Sequence, residues 1–255
     1  MHTSLLQQPF NPDPVFSYLT QGRLTVLTGT QTWHIHAGEY ILYTRNQLAK
    51  YLPPINASDE IQAITLVLKQ NILQQYAREN NITVIHNEQA NAIIPITPNV
   101  LLQYFIQKLS PGLPIQHPEY AHYPEATIQE LLFLLLRTDA ALQNILFNFS
   151  KPAKANLHLF MQRHFRFNAS IQQFSYLTGR SLTAFKRDFV AAFGQPPGRW
   201  LLEKRLTEAY DLITVQHLKP TDVCWYVGFE DLSHFSFAFK KKYGISPSQA
   251  KKRSE

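Results

Sequence analysis

The 255-residue sequence predicts an α+β chain of two domains: a small antiparallel β-barrel or jelly roll with helices attached, then an all-α domain. Three observations predict it. Short segments rich in Val, Ile, Thr and aromatics fill the chain from Val15 to about residue 97, and long apolar helical patterns follow. The charge is divided: residues 1–150 hold 7 Lys and Arg against 10 Asp and Glu, net −3, whereas residues 151–255 hold 17 against 8, net +9. Finally, SLTAFKRDFVAAFGQPP from Ser181 and DLSHFSFAFKKKYGISP from Asp231 are one pattern written twice. A basic domain of this kind calls for a polyanion, and nucleic acid comes first.

VFSYLT, RLTVLTG, QTWHIH, YILYTR and IQAITLVLK are the expected strands, too closely spaced for βαβ units. ILQQYAREN (72–80) reads as a helix riding on them. The barrel occupies about residues 10–97 and helices about 98–150, with NVLLQYFIQKL (99–109) and a single long helix over 127–149. The latter is apolar on more than one face, so it is expected to pack on the barrel and on a second copy of itself, making a homodimer through Leu132, Leu135, Leu136 and Leu142. SKPAKAN (150–156) is polar and marks the shift in charge, which puts the boundary between domains 1–152 and 153–255.

In the second domain IQQFSYLT (171–178) is a short helix, Gly179–Arg180 a turn, and Ser181 the N-cap of the next helix. Leu182, Phe185, Phe189 and Phe193 form its apolar stripe, repeated by Leu232, Phe235, Phe239 and Tyr243 after PTDVCWYV (220–227) and Gly228. Ser175 and Cys224 each stand four residues before the turn glycine, where two steeply crossing helices need a small side chain. This is the helix-turn-helix pattern, twice. Between the stripe positions Thr183, Ala184, Lys186 and Arg187 must face outward in the first copy, and Ser233, His234, Ser236 and Phe237 in the second. A DNA major groove admits one such helix. The connecting helix 198–214, with Leu202, Leu206, Ala209 and Ile213 on one side, would span about 25 Å and hold the two reading helices about one DNA turn apart.

The final hundred residues resemble the DNA-binding domain of AraC/XylS-type transcriptional regulators. The resemblance rests on VCWYVGFEDLSHFSFAFKKKYGISPSQAKK, TGRSLTAFKRDF and PPGRWLLEKRL and covers about residues 156–253. The first half is similar, more loosely, to the cupin-like sensor or dimerisation domain of such regulators, through FSYLTQGRLTVLTGTQTWHIHAGEYILYTRNQLAKY. The resemblance implies a sequence-specific regulator, an activator, that binds double-stranded DNA and recruits or blocks RNA polymerase. It implies base or phosphate contacts by Thr183, Lys186 and Arg187, then by Ser233, His234 and Phe237, with Arg180, Ser181, Lys240 and Lys241 beside them. Phe237 departs from the family, where a polar or basic residue is commoner. It can touch a thymine methyl but cannot hydrogen-bond a base, so the second helix should contribute less specificity. The closing arginine is also missing, with Lys251, Lys252 and Arg253 nearby.

The competing expectation is a metal-dependent cupin enzyme built on HIHAGE, in which His34, His36 and Glu39 hold a divalent ion. His34 and His36 would share a strand face, but Glu39 follows Gly38 so closely that a turn explains it more simply. His86 is a spare imidazole, while His117 and His122 fall in a proline-rich loop. No P-loop, GxGxxG, nucleophile elbow or HExxH occurs, so no cofactor is expected. The single Cys224 excludes an internal disulfide framework and suits a reducing cytoplasm. LLFLLL (131–136), bounded by Glu130 and Arg137, is far shorter than the roughly 20 residues a bilayer span needs. The barrel could hold a small apolar effector among Phe16, Tyr18, Leu24, Val26, Trp33 and Ile35, answer to a partner protein, or only dimerise.

Overall fold

All four residues of the strand Tyr40–Tyr43 are buried, although a strand with one wet face would alternate. The computed structural model, which describes residues 10–29, 31–52, 60–84, 91–109 and 123–254, gives the reason. His86, His117 and His122 lie outside the described residues. The chain divides into two compact units, Met1–Lys151 and Pro152–Glu255.

The first unit has three layers. Strands β1 (Phe10–Asn11), β6 (Gln47–Leu52), β3 (Arg23–Thr28) and β4 (Thr32–His36) make one antiparallel sheet in that order. Strands β7 (Gln62–Val67), β2 (Val15–Gln21), β5 (Tyr40–Tyr43) and β8 (Ile93–Ile96) make the other. Of the expected barrel or jelly roll, the barrel is corrected: the strands form two four-stranded sheets that do not close on each other. Leu24, Val26 and Ile35 of the first sheet meet Val15, Leu19, Ile41, Tyr43 and Ile93 of the second. On the far side of the second sheet, Phe16, Tyr40, Leu42, Ile64 and Leu66 pack against helices. That sheet is buried on both faces, hence the unbroken apolar run of β5. Strand β6 was not expected from the sequence, and β8 was hidden by Pro95; the proline is tolerated because β8 is an edge strand.

The helical layer holds α1 (Gln70–Glu79), α2 (Val100–Leu109), α3 (Glu125–Thr138) and α4 (Gln143–Leu146). The single long helix expected over 127–149 breaks at Asp139. This residue is extended (φ −149°, ψ 108°), and its carboxylate accepts from the Ala141 N–H at 2.9 Å to start a turn of 3-10 helix over 140–142. Asp competes for backbone donors in just this way. The dimer assignment also needs correction, since Leu132, Leu135 and Leu142 lie in this unit's own core and Leu136 packs against it half-buried. Covered by α1, α2 and the sheet, α3 buries Leu131, Leu132, Leu134 and Leu135 within its own unit. Among the described residues no helix is long and apolar enough to cross a membrane.

The second unit is all α: α5 (Leu157–His164), α6 (Ile171–Leu177), α7 (Leu182–Phe193), α8 (Pro197–Thr214), α9 (Pro220–Tyr226), α10 (Leu232–Tyr243) and α11 (Pro247–Ser254). Polar caps start most of them. Asn156, Ser170, Ser181 and Asp231 each accept a backbone N–H through the side chain, and Ser170 with Gln173 forms a full capping box. Helix α8 belongs to both halves of the unit. Its start, through Trp200, packs on Phe165, Phe189 and Phe193, and its later turns, through Leu206, Ala209, Leu212 and Ile213, join Val223, Phe235 and Phe239. The expected stripe placed Leu202 inside; Trp200 and Leu201 are buried instead, and Leu202 is exposed.

The short turn between α5 and α6 ties the halves together. Arg205 of α8 donates to the carbonyls of Phe165 (2.8 Å) and Phe167 (2.7 Å), and Arg166 pairs with Glu208. Burial pushes the Arg205 guanidinium down to about 10, leaving it a cation at neutral pH that two carbonyls serve. The Gly228 turn lies against the Arg166 carbonyl from the other side.

Candidate nucleic-acid interface

Two turns of the same design set up the surface. In the first, the N–H groups of Gly179 and Arg180 donate to the carbonyls of Tyr176 (2.9 Å) and Ser175 (3.0 Å). In the second, Gly228 and Phe229 donate to Trp225 (3.1 Å) and Cys224 (3.1 Å). Ser175 and Cys224 are both buried at the crossing. The turn glycines have φ of +64° and +98°, and α7 and α10 each end on a left-handed glycine, Gly194 and Gly244. The turns differ in one respect. The helices repeat at fifty residues, Ser181 to Asp231, but the turns repeat at 49, Gly179 to Gly228. Glu230 is thus an extra residue absorbed between Phe229 and the cap Asp231.

The stripes settle which face is free. Phe185, Phe189, Phe235 and Phe239 are fully buried, and Phe193 and Tyr243 are half-buried. Leu182 and Leu232, at the helix starts, are partly wet. On the opposite faces Thr183, Lys186 and Arg187 are exposed with Ala184 half-buried, and Ser233, His234 and Phe237 are exposed with Ser236 half-buried. Phe237 is 69% exposed, unusual for a phenylalanine. Ser181 lends its hydroxyl oxygen to the Ala184 N–H at 3.3 Å, so it serves the start of its own helix.

Arg180 does not join this face. Its side chain is only 9% exposed, donating to the carbonyls of Ala155 (2.9 Å) and Thr178 (2.8 Å) and to Asp188 (3.2 Å). The expected DNA contact is corrected to an internal brace. Lys240 and Lys241 are exposed. Lys242, the next residue, is occupied by the Glu203 carbonyl (3.0 Å) and the Thr207 hydroxyl (2.8 Å), and burial lowers its ammonium. Asp188 is a further member of this cluster, and an acid directly after Arg187 is its only signal in the sequence. The guanidinium of Arg187, then that of Arg180, hold its carboxyl below the usual range.

In the first unit, His34 and His36 are exposed on β4 and His34 Nδ1 lies 3.2 Å from the Thr25 hydroxyl. The Glu39 carboxylate accepts the His36 backbone N–H at 2.8 Å, closing a turn in which Gly38 has φ +92°. It is a turn cap, which takes the carboxylate out of the imagined metal set. No group of three His, Cys, Asp or Glu able to hold a metal occurs among the described residues. The six candidate effector residues do not line one space. Phe16 and Tyr18 point to the helical layer, whereas Leu24, Val26, Trp33 and Ile35 point between the sheets. Alternation along β2 is the cause: Val15 and Leu19 face the inter-sheet core, Phe16 and Tyr18 the other.

Residues 14–146 match the ExsA N-terminal regulatory domain, and residues 175–253 match a helix-turn-helix domain. The chain belongs to the AraC/XylS family of transcriptional regulators. This regulator is 24% identical to the HTH-type transcriptional regulator ExsA of Pseudomonas aeruginosa, over 91% of its own chain and 84% of that one. It is 24% identical to the virulence regulon transcriptional activator VirF of Yersinia enterocolitica, over 91% and 87%. Over 49% of its chain and 45% of the other it is 32% identical to the transcriptional activator RhaS of Escherichia coli. The regulator is a DNA-binding protein of a non-enzymatic class, and the cupin-enzyme alternative is set aside.

Proposed function

We propose that this regulator is a cytoplasmic transcription activator that lays α7 and α10 into successive major grooves of one duplex. The observation that carries the reading is the paired outer face: two helices with the same buried stripe, each with its intervening side chains in water. Thr183, Ala184, Lys186 and Arg187, beside Ser181, read the first groove; Ser233, His234, Ser236 and Phe237 touch the second, and Lys240 and Lys241 take phosphates. Bound there, the regulator presents itself to RNA polymerase. Arg187→Ala is expected to weaken binding to the selected site about tenfold to a hundredfold and to relax preference at one base pair. Titration of the full chain against a site selected from random duplexes, repeated across salt concentrations, checks it. Unchanged affinity and preference would remove Arg187 from the interface.

The homodimer is proposed on a different face from the one the sequence suggested. Val100, Leu101 and Tyr104 of α2 are exposed, as is Phe133 of α3 at 52%. The Lys108–Glu130 ion pair (2.9 Å) brings these helix faces side by side. Tyr104→Glu combined with Phe133→Glu is expected to turn a dimer into a monomer in sedimentation velocity without loss of helical signal. Leu142→Ala, buried within the unit, is expected to cost stability instead, by about 2–5 kcal/mol.

A further inference from the structure

Arg187 is 78% exposed, and a long cation on a wet helix would ordinarily sample many rotamers. Here it does not stand alone. Asp188 Oδ1 accepts from its Nε (3.2 Å) and Nη2 (2.9 Å), leaving the end-on edge of the fork open. That edge still offers two N–H groups, enough for a bidentate pair with a guanine. The other oxygen of Asp188, Oδ2, accepts from Arg180 Nε at 3.2 Å, and Arg180 is in turn pinned by Nη1 to the carbonyls of Ala155 and Thr178. A continuous line of charge-assisted hydrogen bonds thus runs from the backbone of Ala155 to the exposed guanidinium of Arg187.

Ala155 lies in the segment that joins the two units. Its N–H donates to the Thr178 carbonyl at 3.3 Å, and a Cβ on Gly179 would stand 2.7 Å from the carbonyl oxygens of Pro152 and Ala153, so this segment presses on the first turn. On the other side Arg45 donates to the Asn148 carbonyl at 3.1 Å, and the Asn148 side chain accepts from the N–H and hydroxyl of Ser150 (3.1 and 2.6 Å). The second reader has none of this. At the places of Arg180, Arg187 and Asp188 it carries Phe229, Phe237 and Ala238. A brace needed merely to build a helix-turn-helix would be expected in both copies; this one occurs in the copy that receives the connection.

We propose that Asp188 and Arg180 are positioning residues for base reading by Arg187, and that they couple this reading to the segment Pro152–Ala155. The proposal rests on Arg187 touching a base, as proposed above. The test uses the full chain, a site selected from random duplexes, and that site changed one base pair at a time. Arg187→Ala identifies the base pair whose discrimination depends on Arg187. Asp188→Asn and Arg180→Met are expected to reduce discrimination at that same base pair about threefold to tenfold. The slope of affinity against salt stays unchanged, because neither residue neutralises a phosphate. In the Arg187→Ala background neither has a further effect. Asp188→Asn keeps the side-chain shape and the carbonyl bonds of Arg180, so it answers even if Arg180→Met fails to fold. Equal weakening of every sequence, or effects that add in full to Arg187→Ala, would overturn the positioning role. Should Arg187→Ala leave every preference intact, the reading of Arg187 itself fails. Should it lose a preference that Asp188→Asn keeps, only the positioning fails.

Discussion

Gly228→Ala is expected to destabilise the DNA-binding unit by about 3 kcal/mol, and Gly179→Ala nearly as much, while Gly194→Ala and Gly244→Ala cost only about 1 kcal/mol. All four glycines have positive φ. What separates them is space. A Cβ on Gly228 would stand 2.5 Å from the Arg166 carbonyl oxygen and 3.2 Å from the Arg205 guanidinium carbon, in the hub that joins the halves. On Gly179 it would stand 2.7 Å from backbone carbonyls, which cannot swing aside. Gly194 and Gly244 end their helices in open space, so an alanine there suffers left-handed strain alone. Urea denaturation of the four variants checks the order. Four equal values would mean that backbone strain, not close approach, governs these turns.

Phe239→Ala is expected to cost about 3–5 kcal/mol, whereas Phe237→Ala, two residues away, stays within about 0.5 kcal/mol. The Phe239 ring is fully buried, packed on Phe235 (5.7 Å between centroids), Tyr243 (4.8 Å) and Tyr210 (6.1 Å). Aromatic contacts of this kind add to what the buried area contributes. Phe237 stands in water on the opposite face. Its removal is expected to show in DNA binding instead. Thermal unfolding of both variants, followed by titration with duplex, separates the two roles. A stability loss at Phe237 matching that at Phe239 would place both rings in the core and remove the outer face of α10.

The same contrast explains how much of the interface was legible in the sequence. Stripe, caps and turn glycines repeat at helical spacing, so Phe185, Phe189, Phe235 and Phe239 could be assigned inward and their neighbours outward from periodicity alone. Arg180 could not. Its burial depends on the Ala155 carbonyl, 25 residues away, and no pattern of apolar and polar letters encodes a partner at that distance. The tether of Lys242 is hidden for the same reason, since the Glu203 and Thr207 groups that hold it lie on another helix. In the first unit, strands rich in β-branched residues are legible, but QLAKYL and the proline-bearing IIPI carry no such signal. Alternation along β2 fixes that Phe16 and Val15 face opposite ways; only the sheet packing says that both faces are covered. The run of leucines in α3 signalled burial correctly, but Leu132, Leu135 and Leu142 are buried within this unit's own core. Three walls of the same unit surround it.

The two readers present unlike side chains, and Glu230 makes their turns unequal in length. A chain built so has a front and a back. Each copy would sit on its site in one orientation, with polarity like that of a promoter, and turning the site end for end would not give the same complex.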